Sequence, residues 1–289
     1  PPLSPTAFAG AVSAADPRAQ AAGEAMLARG GSATDAAIAV MLALTVVEPQ
    51  SSGIGGGGFM VRGMPDGTVA TFDGRETAPA GATPEWFLDE NGEVPPRSES
   101  VRSGLSVGVP GNIALAAKAH AAHGKLAWAD LFEPAIRLAR SGFEINPRLN
   151  GMLESARDRS AHSAAARSLY FDDQGDPRPV GTLVVNEPLA QTLEMIAGGG
   201  REAFYSGELA ERIAETVSAD TPRTGAMTYA DITGYEAKTR DAVCAPYRAY
   251  RVCTMGPPTS GGVAVLQMLG QLERFPIAEM GVRNPLTWH

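Results

Sequence analysis

Ala36 to Val47 is apolar nearly all round, not along one stripe. A helix with that pattern lies inside a molecule, because it has no face left for water. Ser32 or Thr34 supplies its N-cap. A preceding alanine-rich helix starts at Asp16-Pro17, with the aspartate capping and the proline in the first turn, and Gly30-Gly31 ends it after Arg29. Past Val47 the pattern breaks into Glu48-Pro49-Gln50-Ser51-Ser52, and five of the six residues from Gly53 to Gly58 are glycine. So dense a run means that the chain turns with positive φ or that another backbone comes very close. Phe59 to Arg62 and Val69 to Asp73 flank Met64-Pro65-Asp66-Gly67 and predict a hairpin, whose second strand delivers Asp73-Gly74-Arg75-Glu76 to a loop.

Thr77 to Ser103 is polar, contains proline and predicts an irregular surface segment. Val107-Gly108-Val109-Pro110-Gly111-Asn112 leads into a helix that stops at Gly124. Trp128 to Arg140 predicts another, with Leu131, Ala135 and Leu138 on one face and Gly142 beyond its end. Pro147 opens a helix polar enough for the surface. Asn186 to Ala197 and Glu208 to Val217 are helical, and Thr228-Tyr229-Ala230-Asp231 starts one more turn. Two short strands around a turn contain Cys244 and Cys253, and Pro257-Pro258-Thr259-Ser260-Gly261-Gly262 then precedes a helix from Val263 to Leu272. No internal repeat and no separating linker is present, so residues 1–289 read as a single domain of mixed α and β class.

A net charge of −8, without a basic cluster along the chain, argues against nucleic acid or an anionic membrane surface as the main partner. The longest apolar run falls well short of the roughly 20 residues that cross a bilayer. No signal peptide is visible, although Pro1-Pro2-Leu3-Ser4-Pro5 suits the start of a processed chain. The two cysteines form either a cross-strand disulfide, as in an oxidising compartment, or two buried thiols. With two cysteines and four histidines, zinc-site spacing is absent.

Gly53 to Gly58 satisfies G-x-G-x-x-G, but that motif holds a pyrophosphate only when a strand precedes it and a helix follows. Here the order is reversed, which removes the dinucleotide reading. Pro257 to Gly262 has the right order for an anion nest, yet in isolation it is more simply a rigid turn before a capped helix. Arg75 is a more pointed candidate, because a guanidinium grips a carboxylate through two parallel hydrogen bonds. On position alone, a surface pair with Glu76 is the simpler account. His120 and His123 fall near a helix C-terminus and suit capping, His162 is in a polar stretch and His289 is terminal. No serine stands in a G-x-S-x-G elbow.

Taken together, these segments resemble the large subunit of γ-glutamyltransferase, or glutathione hydrolase, in the N-terminal-nucleophile hydrolase superfamily. The resemblance rests on Gly31-Ser32-Ala33-Thr34-Asp35-Ala36-Ala37, on Glu48 to Phe59, on Asp73-Gly74-Arg75-Glu76-Thr77-Ala78-Pro79 and on Gly108-Val109-Pro110-Gly111. It continues through Glu133-Pro134-Ala135-Ile136-Arg137-Leu138-Ala139 with Gly142-Phe143, and through Pro257 to Gly262, in order from about residue 6 to residue 275.

The resemblance implies an α+β fold that is part of a four-layer αββα sandwich, completed by a small subunit cut from the same precursor. It places the nucleophile, an N-terminal threonine, on that small subunit, so no catalytic residue is expected in these 289 residues and the chain alone is expected to be inactive. The chain is expected to stop short of the cleavage site. Arg75 is implied to hold the α-carboxylate of the γ-glutamyl group of glutathione or a related compound. Gly55, Gly56, Gly57 and Gly58 are expected to shape the site as a close-packed crossing, buried against backbone. No cofactor and no metal are implied, and the location implied is periplasmic or secreted. An acylase of glutaryl or cephalosporin-type substrates within the family, and a non-catalytic relative, are the competing readings.

Overall fold

In a computed structural model, residues 10–219 and 223–289 are described. The proline-rich start, Pro1 to Pro5, lies outside them. The two helices expected at the front form as Pro17–Ala28 (α1) and Ala33–Val47 (α2). Asp16 caps α1 by accepting from the Arg18 backbone N–H, and Pro17 occupies the first turn. Ser32 is the cap of α2 and exchanges hydrogen bonds with Asp35 in a capping box. α2 is interior as its pattern demands, with Ile38, Ala39, Leu42, Ala43 and Val47 fully buried. α1 crosses it closely at Gly23, where an added methyl group would strike Val40 and Val12.

Strands Gly58–Gly63 (β1) and Val69–Gly74 (β2) form the expected antiparallel hairpin, with Phe59 opposite Asp73 and Gly58 opposite Gly74. Its turn closes through the Gly67 N–H and the Met64 carbonyl at 2.9 Å. The helix after Pro110 runs Asn112–His123 (α3) and packs under β2.

Trp128 to Arg140 is not one helix. Trp128–Phe132 is 3-10 and Glu133–Ser141 (α4) is α-helical. Pro134 has no N–H to continue a ladder and its ring clashes with the preceding turn, so the helix has to restart. Pro147–Ser155 (α5) is less superficial than its composition suggests, because Leu149 and Leu153, four apart, are both buried. Thr77 to Ser103 is irregular apart from one short helix at Arg97–Val101. Glu187–Gly199 (α6) packs on α4, and Gly207–Ala219 (α7) follows.

Between α4 and α6 lie the two-residue strands Phe143–Glu144 (β3) and Leu183–Val184 (β4), paired to each other. Thr228 caps the short helix Tyr229–Thr233 through a second capping box, with Asp231. Strand Lys238–Arg240 (β5) then pairs antiparallel with β2, giving a three-stranded sheet in the order β1-β2-β5.

Among the described residues the buried members of the main hydrophobic core run from Ala19 to Ala237. After β5 the chain forms an arm. Val243–Tyr247 (β6) and Tyr250–Thr254 (β7) pair as a hairpin, and Gly261–Leu272 (α8) packs on both. Cys244 and Cys253 face each other across that hairpin and are joined by a disulfide. Arg248, at the hairpin turn, donates to the Leu272, Glu273 and Phe275 carbonyls and so closes the end of α8. Among the described residues no helix is long and apolar enough to cross a membrane, and no group of histidine, cysteine and acidic side chains could hold a metal.

One charge feature emerges only in space. Arg97, Arg102, Arg157 and Arg159, far apart in sequence, line one surface cavity, interleaved with Glu154 and Asp158.

Candidate functional site

The glycine loop leaves the end of α2 through a turn in which the Ser51 and Ser52 N–H groups donate to the Glu48 carbonyl. Glu48 itself is buried and accepts from the Gln50 side chain at 2.7 Å. None of the loop's glycines has positive φ. The requirement for glycine is therefore close approach, and it is concentrated at one residue. A methyl group on Gly57 would sit 2.5 Å from the Gly74 carbonyl oxygen and 2.7 Å from the Glu76 backbone nitrogen.

The expectation of a buried crossing fails at Gly55, which is exposed with open space where a Cβ would project. Gly56 and Gly58 are half-buried; a methyl group on Gly58 would meet the Asn112 side chain at 3.1 Å, and one on Gly56 would make only ordinary contacts, the nearest the Gly53 carbonyl oxygen at 3.4 Å. Only Gly57 is at the crossing, because only there does β1 enter directly beneath the corner where β2 ends.

Asn112 was not singled out as a site residue by its sequence, although it closes the Val107 to Asn112 segment. Its side-chain amide donates to the Gly53 carbonyl at 2.7 Å, while the Gly111 and Asn112 backbone N–H groups both donate to the Gly56 carbonyl at 2.9 and 3.0 Å. The Gly111 and Asn112 amides at the start of α3 are thus occupied by the loop itself, and the Ala114 amide by the Tyr205 hydroxyl, so these three are not available to a phosphate. Helix before and strand after, the loop has the order expected of it, and its carbonyls face a helix start.

Arg75 sits immediately past β2. Its side chain is 58% exposed, and Nη1 lies 3.1 Å from Glu76 Oε2 without a hydrogen bond to it. Among the described residues the guanidinium has Glu76 as its charged partner and no hydrogen-bond acceptor, so it keeps donors that can turn to a ligand. The backbone of the same residue is tightly held. Its N–H donates to Asp73 Oδ1 at 2.8 Å, and its carbonyl accepts from the Tyr235 hydroxyl at 2.8 Å. The second Asp73 oxygen accepts from Arg240 Nε on β5 at 2.6 Å. Burial, reinforced by the negative charges of Asp73 and Glu76, pushes the Tyr235 phenol up to about 12, so it stays protonated and donates.

Tyr235 stacks parallel on Tyr205 at 5.8 Å, and Arg201 lies over the Tyr205 ring while donating to the Tyr235 carbonyl. The Tyr205 hydroxyl in turn donates to the Pro110 carbonyl at 2.8 Å, at the start of α3. The two tyrosines therefore tie the arginine corner and the helix that holds the glycine loop into one assembly. Asp73 could have been found from sequence, since Asp-Gly-Arg is an Asx-turn signature. Tyr235 and Arg240 could not, because they lie 160 and 167 residues from their partners.

The histidines do not act at the end of their own helix. His120 Nε2 is 2.9 Å from the Leu126 carbonyl and 3.8 Å from Asp35 Oδ1, so it fastens the following turn. His123 sets its ring edge against Phe72. At Pro257 to Gly262 a turn precedes α8, which starts at Gly261 without the side-chain cap expected of it, and Gly262 is packed directly under the Met255 carbonyl.

Residues 19–289 match the model of the gamma-glutamyltranspeptidase family. The chain is 38% identical over 278 residues to the glutathione hydrolase proenzyme of Bacillus subtilis, covering 95% of this chain and 46% of that proenzyme. It is 34% identical over 271 residues to the acylase ACY 1 proenzyme of a Pseudomonas species, covering 92% and 48%. In three dimensions it superposes on the crystal structure of Helicobacter pylori gamma-glutamyltranspeptidase with a TM-score of 0.92 at 34% identity, over 100% of this chain and 81% of that one. The chain spans about half the length of the curated relatives it matches. The fold is α+β, shared with N-terminal-nucleophile hydrolases of this kind, and the matched part is their large-subunit region. The chain belongs to the gamma-glutamyltranspeptidase family.

Proposed function

We propose that residues 1–289 form, as one domain, the large-subunit part of an enzyme that cleaves γ-glutamyl amides such as glutathione and passes the γ-glutamyl group to water or an amino acid. Arg75 reads the substrate by pairing its guanidinium with the α-carboxylate. The observation that carries this is the contrast at Arg75 between an exposed side chain held only by its ion pair with Glu76 and a backbone fixed on both sides. A bidentate arginine–carboxylate pair needs that combination.

The nucleophile is a threonine at the N-terminus of a small subunit cut from the same precursor, and the large-subunit chain by itself is inactive. An acyl-enzyme on that threonine accounts for both hydrolysis and transfer. The glycine loop, crossing at Gly57, shapes the floor beside Arg75. One observation supports a partner surface. The arm exposes Met268, Leu272, Phe275 and Leu286 along a groove of about 600 Å³. A contiguous apolar face of this kind belongs against another protein surface. Processing in the periplasm or outside the cell suits the disulfide.

The test is Arg75→Ala in the full-length protein with a γ-glutamyl anilide. KM rises at least about tenfold, as loss of a charged hydrogen-bonded contact requires, and Arg75→Lys recovers only part because lysine cannot pair bidentately. An unchanged KM in Arg75→Ala removes the assignment. The acylase likeness keeps a second reading in play, a glutaryl or β-lactam side-chain substrate whose carboxylate uses the same guanidinium. Turnover of γ-glutamyl and glutaryl anilides side by side separates the two.

A further inference from the structure

Both polar groups of the Arg75 peptide are taken by buried side chains from elsewhere in the fold. Asp73, 5% exposed, accepts from its N–H, and Tyr235, also 5% exposed, donates to its carbonyl. Each of these side chains is itself secured. Arg240 reaches across from β5 to the other Asp73 oxygen, and Tyr235 is clamped between the Tyr205 stack and the Arg201 contact to its own carbonyl. Gly111 presses on the same spot, since a methyl group there would collide with the Tyr235 hydroxyl and the Gly74 carbonyl. A surface arginine engaged only with Glu76 would need none of this. Fixing φ and ψ on either side of a long flexible side chain does nothing for an ion pair in water, but it sets the direction in which the guanidinium leaves the corner.

We infer that Asp73 and Tyr235 are positioning residues for Arg75, holding its peptide so that the guanidinium meets a substrate carboxylate in bidentate geometry. This rests on the reading of Arg75 as the carboxylate ligand. Neither residue touches substrate; both act through the arginine. Tyr235→Phe keeps the ring, its stack and its burial and removes one hydroxyl.

The experiment compares wild type, Tyr235→Phe, Arg75→Ala and the double variant in the full-length protein, reading KM and kcat for a γ-glutamyl anilide together with Tm. Tyr235→Phe raises KM about three- to tenfold, the range one lost buried hydrogen bond produces, while kcat stays within about twofold. In the Arg75→Ala background the same substitution adds no further rise in KM, because the group it positions is gone. As a second arm, Asp73→Asn, which keeps an oxygen for the Arg75 N–H, retains more of the wild-type KM than Asp73→Ala; this arm decides the matter if Tyr235→Phe does not fold. A Tyr235→Phe protein with lowered Tm and unchanged KM overturns the inference and leaves the Arg75 reading standing. So does a KM effect that persists undiminished in the Arg75→Ala background. If Arg75→Ala itself leaves KM unchanged, both readings fall together.

Discussion

Replacing Gly57 with alanine places a methyl carbon 2.5 Å from the Gly74 carbonyl oxygen, 2.6 Å from Glu76 Oε2 and 2.7 Å from the Glu76 backbone nitrogen. Two of those three atoms are backbone, so a rotamer change cannot relieve the clash. The entry of β1 must separate from the exit of β2, at a point where Gly58 and Gly74 are paired. Forcing an extra carbon into so close a contact costs about 1–3 kcal/mol, or a fall in Tm of about 2–6 °C at roughly 2 °C per kcal/mol for a large chain. Gly55, two residues earlier, supplies the control. It has open space and no positive φ, so Gly55→Ala is neutral or stabilises by up to about 1 kcal/mol through the unfolded chain. Thermal unfolding of the two variants beside wild type reads the difference, and KM for a γ-glutamyl anilide reads the displaced Arg75 corner. Equal Tm values for the two variants would refute the idea that the loop's glycines serve one close crossing.

Two further outcomes follow from other parts of the fold. Asp35 is fully buried, and its Oδ2 accepts from the backbone N–H groups of Ser32 at 2.7 Å and Lys125 at 2.9 Å, so it caps α2 and anchors the turn after α3 together. Asp35→Ala strands those donors and destabilises by about 2–4 kcal/mol, against a smaller loss for Asp35→Asn, as measured by urea unfolding. The Cys244–Cys253 bridge closes a loop of sequence separation 9, which in the chain-entropy account stabilises the arm by about 2–3 kcal/mol. Alkylation of the denatured protein without reductant therefore labels neither cysteine, and prior reduction exposes both; labelling without reductant would show that the thiols are free.

Local order was largely legible in the chain. The interior helix α2 follows from its all-round apolar pattern, α1 from Asp16-Pro17, and the β1–β2 hairpin from Asp66-Gly67, because caps, prolines and periodicity act within a turn or two. Where local signals competed, they misled. Trp128 to Arg140 has one continuous helical pattern but changes from 3-10 to α-helix at Glu133, one residue before Pro134, and α5 buries two leucines behind a polar surface. The cysteine pair shows the limit from the other side: two strands and a turn allowed a bridge, but only the register that sets Cys244 opposite Cys253 selects it over buried thiols.

At the candidate site, sequence alone singled out pieces without their relations. It determined the glycine run, the arginine after a strand, and the helix-to-strand order that excludes a phosphate cradle. Tertiary structure decided which glycine is needed, since the demand at Gly57 comes from Gly74 and Glu76 across the hairpin, while Gly55 meets nothing. It also decided what holds Arg75, because Tyr235 and Arg240 are brought to the corner only when β5 pairs with β2. Caps and turns are written in neighbouring residues because their hydrogen bonds span a few positions. Close backbone approach and long-range side-chain anchors are properties of two segments at once, and they exist only after those segments have met.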